Sequence, residues 1–270
     1  MKKRVIVISD SHCGHLSGLT PPQWQLNEYE GSTTKRNKWA TLQKELWMHF
    51  TNLLEKYKPF DVGFSLGDMI EGKGSRSGGT ELITNDRDEQ IDMACEVHRQ
   101  VSSRARKGFN WVGVFGTGYH VSGEGGEDWE TVLAERAGFL KIGSHEWVDV
   151  NGCIFDLKHH ISGSQIPHGR FTAPARDRLW NLLWAEKEYQ PKANVILRGH
   201  VHYFSYCGEG DWMAMTLPAL QGMGTKFGAR RMSGIVHWGL TIFDVDNDGK
   251  FSWEVPIVKI NSQRATAIKV

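Results

Sequence analysis

Aspartate and histidine recur at short spacing in five places along this chain. "SDSHCGH" carries Asp10, His12 and His15, "LGD" carries Asp68, and "GTGYH" carries His120. "KHH" carries His159 and His160, and "RGHVH" carries His200 and His202. Carboxylate and neutral imidazole are oxygen and nitrogen donors suited to Zn, Mn, Fe, Ni or Co. Two such ions about 3.5–4 Å apart can be held by roughly seven protein ligands, with one carboxylate shared between them. Alternate side chains of an extended backbone point the same way, so D-x-H and H-x-H each aim two donors together. Each piece alone is common at a turn or on a surface. The ordered set of five points to a metal cage.

Each cluster follows an apolar run that reads as a strand. Val5 to Ser9, Asp61 to Leu66 and Asn110 to Gly116 are such runs, as are the segments before His159 and His200. Between them lie helical patterns. Trp39, Leu42, Leu46, Phe50, Leu53 and Leu54 recur at three and four residues over Asn37 to Tyr57. Asp86 to Lys107, Asp128 to Ala137 and Ala173 to Tyr189 also read as helices, the last with Pro174 near its first turn. "EWVDVNGCIFDLKHH" predicts two strands joined at "NG". From about residue 203 the chain is β-rich. Strand and helix alternating before a β-rich end predict one layered α/β domain, 1–270, with two facing sheets. In open α/β sheets ligands bind beyond the carboxyl ends of the strands, which is where all five clusters fall.

Lys plus Arg number 32 and Asp plus Glu 31, so this is not a chain built to track a nucleic-acid backbone. Four widely spaced cysteines without a CxxC predict free thiols in a reducing compartment. The apolar run near the start is too short for a signal peptide, and no stretch approaches a membrane span. The expectation is a cytoplasmic protein with no membrane partner.

The order of the motifs resembles the calcineurin-like metallophosphoesterase superfamily, the binuclear metallophosphatases, over Val5 to His202. "SDSHCGH…GLTPP" and "LPALQG", Leu217 to Gly222, resemble its phage and prophage branch. The resemblance implies a layered β-sandwich of two mixed sheets flanked by helices. It also implies two divalent metal ions, with Mn favoured and Zn, Fe, Ni or Co as alternatives. Asp10, His12 and His202 would hold one metal, His159 and His200 the second, and Asp68 would bridge them. His160 is the alternative to His159. A hydroxide bridging the metals would hydrolyse a phosphomonoester or phosphodiester.

One motif departs from the family. Where G-N-H is usual, this chain has "GTGYHVSG", with Thr117 in the place of Asn and His120 two positions late. Imidazole is a better donor than a hydroxyl, which favours His120 as a ligand near the second metal. Alternatively Thr117 or a water fills that position and His120 is the catalytic acid. If His120 is a ligand, His15, His160 or His168 would have to donate the proton.

Arg76, Arg170 and Lys226 are candidate phosphate-facing cations, although surface residues of this kind are usually solvated. Glu71 reads as a loop or cap residue. "DVDNDGKFSWEV" lacks the Glu an EF-hand needs at its twelfth position, so "DNDG" reads as a hairpin turn. "GEGGED" reads as a loop before a helix. Trp39, Trp47, Trp180 and Trp184 sit at helical spacing and are expected to pack inward. The expected activity is therefore phosphoester hydrolysis on a phosphoester substrate, which includes nucleotides and nucleic acid. The alternatives are a metal-dependent DNA or RNA nuclease, or a scaffold that has lost catalysis and binds partners.

Overall fold

Period-two burial in the apolar runs builds two facing sheets. In β1 (Lys3–Ile8), Val5 and Val7 enter one buried cluster while Ile6 and Ile8 enter another on the opposite face. The coordinates are those of a computed structural model. It describes residues 1–28, 34–122, 128–223, 225, 234–265 and 267–269, with backbone only at 34–36 and 76.

The first sheet has the order β12 (Phe251–Glu254), β11 (Thr241–Val245), β1, β2 (Phe60–Ser65), β3 (Ala105–Val114), β4 (Lys141–Gly143). Strands β1 to β4 run parallel, and β11 and β12 pair antiparallel. The second sheet has the order β5 (Glu146–Val150), β6 (Cys153–Lys158), β7 (Val195–Arg198), β9 (Met213–Thr216), β8 (Ser205–Gly208). Its centre is parallel and both edges are antiparallel. A short ribbon joins β10 (Trp238–Gly239) to β13 (Ile257–Val258). Both large sheets are thus mixed. Val5, Val7, Phe64 and Phe243 of the first interleave with Phe155, Leu157, Val195 and Met215 of the second in one buried cluster.

Helices α1 (Thr34–Tyr57), α2 (Arg87–Ser102) and α4 (Trp129–Ala137) cover the outer face of the first sheet. Leu42, Leu46, Phe50, Ile91, Val97 and Leu133 are buried there with Ile6 and Ile8. A four-residue helix, α3 (Gly118–Val121), follows β3, and α5 (Thr172–Glu186) lies against β7, β8 and β9. The fold is α/β, two mixed sheets face to face with helices outside. Among the described residues no helix is long and apolar enough to cross a membrane.

The turns follow their residues. Asn151 and Gly152 both have positive φ, 54° and 88°, and close the β5–β6 hairpin. Asp246 accepts the N–H of Asp248 and Lys250 at 2.9 Å, making "DNDG" the β11–β12 turn. Asp86 caps α2 by accepting from Asp88 N and Glu89 N.

Two expectations differ from the structure. The helix expected to reach Lys107 stops at Ser102, because Ala105 already pairs with Phe60 and the segment from Ala105 extends β3. Trp39 and Trp47 pack against the core, but Trp180 and Trp184 are 54% and 45% exposed. Helix α5 turns Pro174, Arg178 and Asn181 inward instead. Arg178 donates to Ala193 O at 2.6 Å, and Asn181 bonds Pro191 O and the Ala193 N–H, so polar groups hold the turn before β7.

Candidate metal centre

The loops beyond β1 and β2 continue side by side past the sheet. Asp10 N donates to Gly67 O, His12 N to Asp68 O, and Cys13 N to Met69 O, each at 2.9–3.0 Å. That pairing sets the Asp10 loop against the Asp68 loop. Two glycines let further loops close in. A Cβ on Gly116 would lie 2.2 Å from Asp68 N, and one on Gly199 would lie 2.5 Å from Ser9 Oγ and 3.0 Å from Asp10 Oδ2. Seven described non-glycine residues have positive φ, and five of them are Asp10, His12, Asp68, His200 and His202. Such backbone is sparsely populated and gathers where function over-determines it.

The donors gather in three sets. Asp10, His12 and His202 form the first, Asp68, His159 and His200 the second, and His12, Glu71 and His120 the third. In the first, His202 Nε2 lies 3.1 Å from Asp10 Oδ1, and His12 Nε2 lies 3.3 Å from His202 Nε2. In the second, His159 Nε2 lies 3.0 Å from Asp68 Oδ2. The sets adjoin through Asp10, whose two carboxylate oxygens accept the backbone N–H of His200 at 3.2 Å each. Ser9 Oγ also donates to Asp10.

His159 is buried and His160 is exposed, with its ring 4.6 Å from that of His200. His159 therefore joins the second set and His160 stands beside it. The expectation that placed His120 near the second metal does not match its position. His120 faces His12 at 4.8 Å between ring centroids, and its Nδ1 donates to Glu71 O at 2.9 Å. The short helix α3 carries it past the second set, so the side chain beside that set is Thr117. The Thr117 N–H donates to Asp68 Oδ1 at 2.6 Å, and its hydroxyl lies 3.2 Å from Asp68 Oδ2 and 3.3 Å from His159 Nε2.

Charge follows this geometry. Burial opposes ionisation of Asp10, but His202 and His159 outweigh it and hold the carboxyl at about 2. Burial likewise opposes ionisation of Asp68, and His159 and His12 hold it far below the carboxylate range. Burial would lower His159, yet Asp68 and Asp10 push it up to about 10. His202 is raised against burial by Asp10. Burial and the charge of His159 lower His200 to about 4, and burial lowers His12.

The donor set fits divalent cations. The Nδ1 of His159 is committed to Leu66 O at 2.6 Å, because a carbonyl can only accept. Its Nε2 lone pair then confronts a carboxylate, a conflict that either a proton or a metal ion relieves.

Two residues emerge that the sequence reading did not assign to the site. Glu71, read as a loop or cap residue, is buried and takes His12 Nδ1 at 2.9 Å. A carboxylate three places after a strand-end "GD" was the available signal. Glu130, on α4, accepts Met69 N at 2.8 Å and Gly116 N at 2.6 Å, tying the Asp68 and Thr117 loops together. Burial and the charge of Asp68 push its carboxyl up to about 8. Nothing in the local sequence marks it.

The remaining candidates lie elsewhere. His15 accepts the Ser17 N–H at 3.0 Å and sits 3.9 Å from Glu81. His168 is exposed on a single turn of 3-10 helix, and the Arg170 guanidinium lies 4.2 Å over the Tyr203 ring. The Arg76 side chain, Lys226 and most of "GEGGED" lie outside the described residues, although Asp128 caps α4.

No family model and no curated protein matches the chain. Among solved structures, Vps29 from Entamoeba histolytica complexed with zinc is similar at 11% identity and a TM-score of 0.44, covering 94% of this chain and 98% of that one. A novel archaeal phosphodiesterase is similar at 10% identity and a TM-score of 0.44, covering 94% and 99%. A Streptococcus pneumoniae protein described as a predicted phosphoesterase is similar at 13% identity and a TM-score of 0.34, covering 95% and 99%.

Proposed function

We propose that this chain is a dinuclear metal-dependent phosphoesterase of the calcineurin-like kind, with manganese as the working metal. One observation carries the reading: two largely buried Asp–His donor sets, on loops from two strands of each sheet, adjoin through Asp10. Asp10, His12 and His202 would hold one cation, His159 and His200 the other, with Asp68 between them. When bound, the cations would supply charge relief for the phosphoryl oxygens and a water acidic enough to attack near neutral pH.

The chain's own residues do the rest. Glu71 orients His12 through Nδ1 and so presents Nε2 to the site. Leu66 O does the same for His159. Thr117 steadies Asp68 through its N–H and sets a hydroxyl beside the second set. The Nδ1–H of His120 is held by Glu71 O, so a second proton on Nε2, present only in the cationic ring, is the one it would give to the departing alkoxide, leaving the neutral imidazole.

Asp68→Asn tests the reading, with metal content and hydrolysis of bis-p-nitrophenyl phosphate measured on the same sample. Loss of at least one metal and of hydrolysis, with circular dichroism unchanged, is expected. Unchanged turnover would end the bridging role. A wild-type protein that takes up no Mn and is inert would favour the scaffold reading instead. Digestion of single-stranded DNA run in parallel separates a nuclease from a small-molecule phosphodiesterase.

A further inference from the structure

Helix α5 is inside out. Arg178 and Asn181 are buried against the second sheet, while Leu179, Trp180, Leu182, Leu183 and Trp184 are exposed, and Tyr189 extends the row beyond the helix end. At 3.6 residues per turn, Arg176, Leu179, Trp180 and Leu183 share the side opposite Pro174, Arg178 and Asn181. Polar groups hold the helix to its own sheet, so burial against the described residues does not explain the leucines and tryptophans.

From this we infer that α5 is a self-association face, on which the α5 of a second copy packs antiparallel about a two-fold axis. Two observations select a second copy. The first is area. Aromatic side chains bury on the order of 150–250 Å² each. Three aromatics and three leucines about half exposed therefore offer several hundred Å², comparable with the roughly 800 Å² per partner of a stable interface.

The second is charge. A two-fold axis level with position 181 sets Leu179 against Leu183 of the second copy. The same axis sets Arg176 against Glu186. Both charges are exposed, and they come level as opposites at each end of the apolar row. Such pairing makes the patch self-complementary, as a two-fold interface requires. Asp177, on the same helix, is taken by Arg198 at 2.7 Å and does not compete.

The test is sedimentation equilibrium of the full chain. Wild type is expected to be a dimer at micromolar concentration. Trp180→Glu combined with Leu183→Glu is expected to be monomeric, with circular dichroism and metal content unchanged. Arg176→Glu and Glu186→Arg should each raise the dimer dissociation constant about tenfold, because symmetry places like charges face to face twice. The double charge swap should restore it. That series decides the matter if the glutamate pair fails to fold. A wild type that stays monomeric at a hundred times that concentration would overturn the proposal. So would a dimer indifferent to all four substitutions, or a monomer that floats with anionic phospholipid vesicles through Trp180, which would make the face a lipid surface.

Discussion

The hydroxyl of Thr117 lies 3.1 Å from Nδ1 of His200. With Asp68 and His159 also within 3.3 Å, that oxygen stands amid the second donor set. A hydroxyl offers a lone pair, but a weaker one than an amide carbonyl or an imidazole. Thr117→Val removes the oxygen and keeps the shape. On the proposed function it is expected to weaken metal binding at the Asp68, His159 and His200 set by about 10–100-fold, the range seen for outer partners of metal ligands. Thr117→Asn is expected to match or exceed wild type. Metal content after dialysis against graded chelator checks both, and equal retention of two metals in the valine variant would remove the hydroxyl from the site.

Glu71 bears on the other set. Its carboxylate takes His12 Nδ1 at 2.9 Å, while its backbone oxygen takes His120 Nδ1 at the same distance. Glu71→Gln keeps an acceptor and loses the charge that makes the imidazole basic. About tenfold weaker binding at the Asp10, His12 and His202 set is expected, with the second metal retained. Titration with Mn, followed by calorimetry, would show one of two sites displaced.

Much of this architecture was legible in the chain because strands and helices announce themselves by period. Val5 to Ile8 alternate between two cores, and Leu42, Leu46 and Phe50 recur at helical spacing, so the parallel strands and their crossover helices follow. The candidate donors were legible because five aspartate and histidine clusters follow strand ends in order, although each alone is common at a turn or on a surface. Contacts made across loops were not. Glu130 reaches Met69 and Gly116 from a separate helix, and no local pattern encodes that reach. The place of His120 depended on one short helix, which decides whether Thr117 or the imidazole faces Asp68. The tryptophans of α5 misled for a related reason. Helical spacing fixes which residues share a side, but not which side meets the sheet.

Beneath the site, Arg198 joins the second sheet to α5. Its Nη1 donates to Asp156 Oδ1 at 2.6 Å and its Nε to Asp177 Oδ2 at 2.7 Å, and the residue is buried. Removing one partner of a buried pair strands the other charge and costs about 3–5 kcal/mol. Arg198→Met should therefore unfold roughly 6–20 °C lower, at about 2–4 °C per kcal/mol for domains near this size. His145 Nε2, 2.8 Å from Asp156 Oδ1, remains as a hydrogen-bond partner. Adding Asp156→Asn should recover part of the loss, since the stranded carboxylate is then gone. Calorimetric scans of the two variants would show it, and additive losses would mean that the two side chains stabilise the fold independently.

His98 sets an acid limit on stability that is separate from the metal centre. It is buried on α2, where Nδ1 donates to Ala94 O at 2.7 Å and Nε2 meets Ser65 Oγ at 3.1 Å. Burial lowers it from 6.5 to about 4. The unfolded chain therefore takes up this proton first as pH falls. Stability contributed by the neutral ring is intact above about pH 6.5, declines below it, and is lost by about pH 4. A gap of that size corresponds to about 3 kcal/mol. His98→Gln offers both neighbours a hydrogen bond and does not titrate. Its unfolding free energy, measured by denaturant at several pH values, should fall less steeply than that of wild type between pH 6.5 and 4. Parallel curves over that window would mean that the ring titrates alike in the folded and unfolded chain, and that the acid sensitivity comes from other groups.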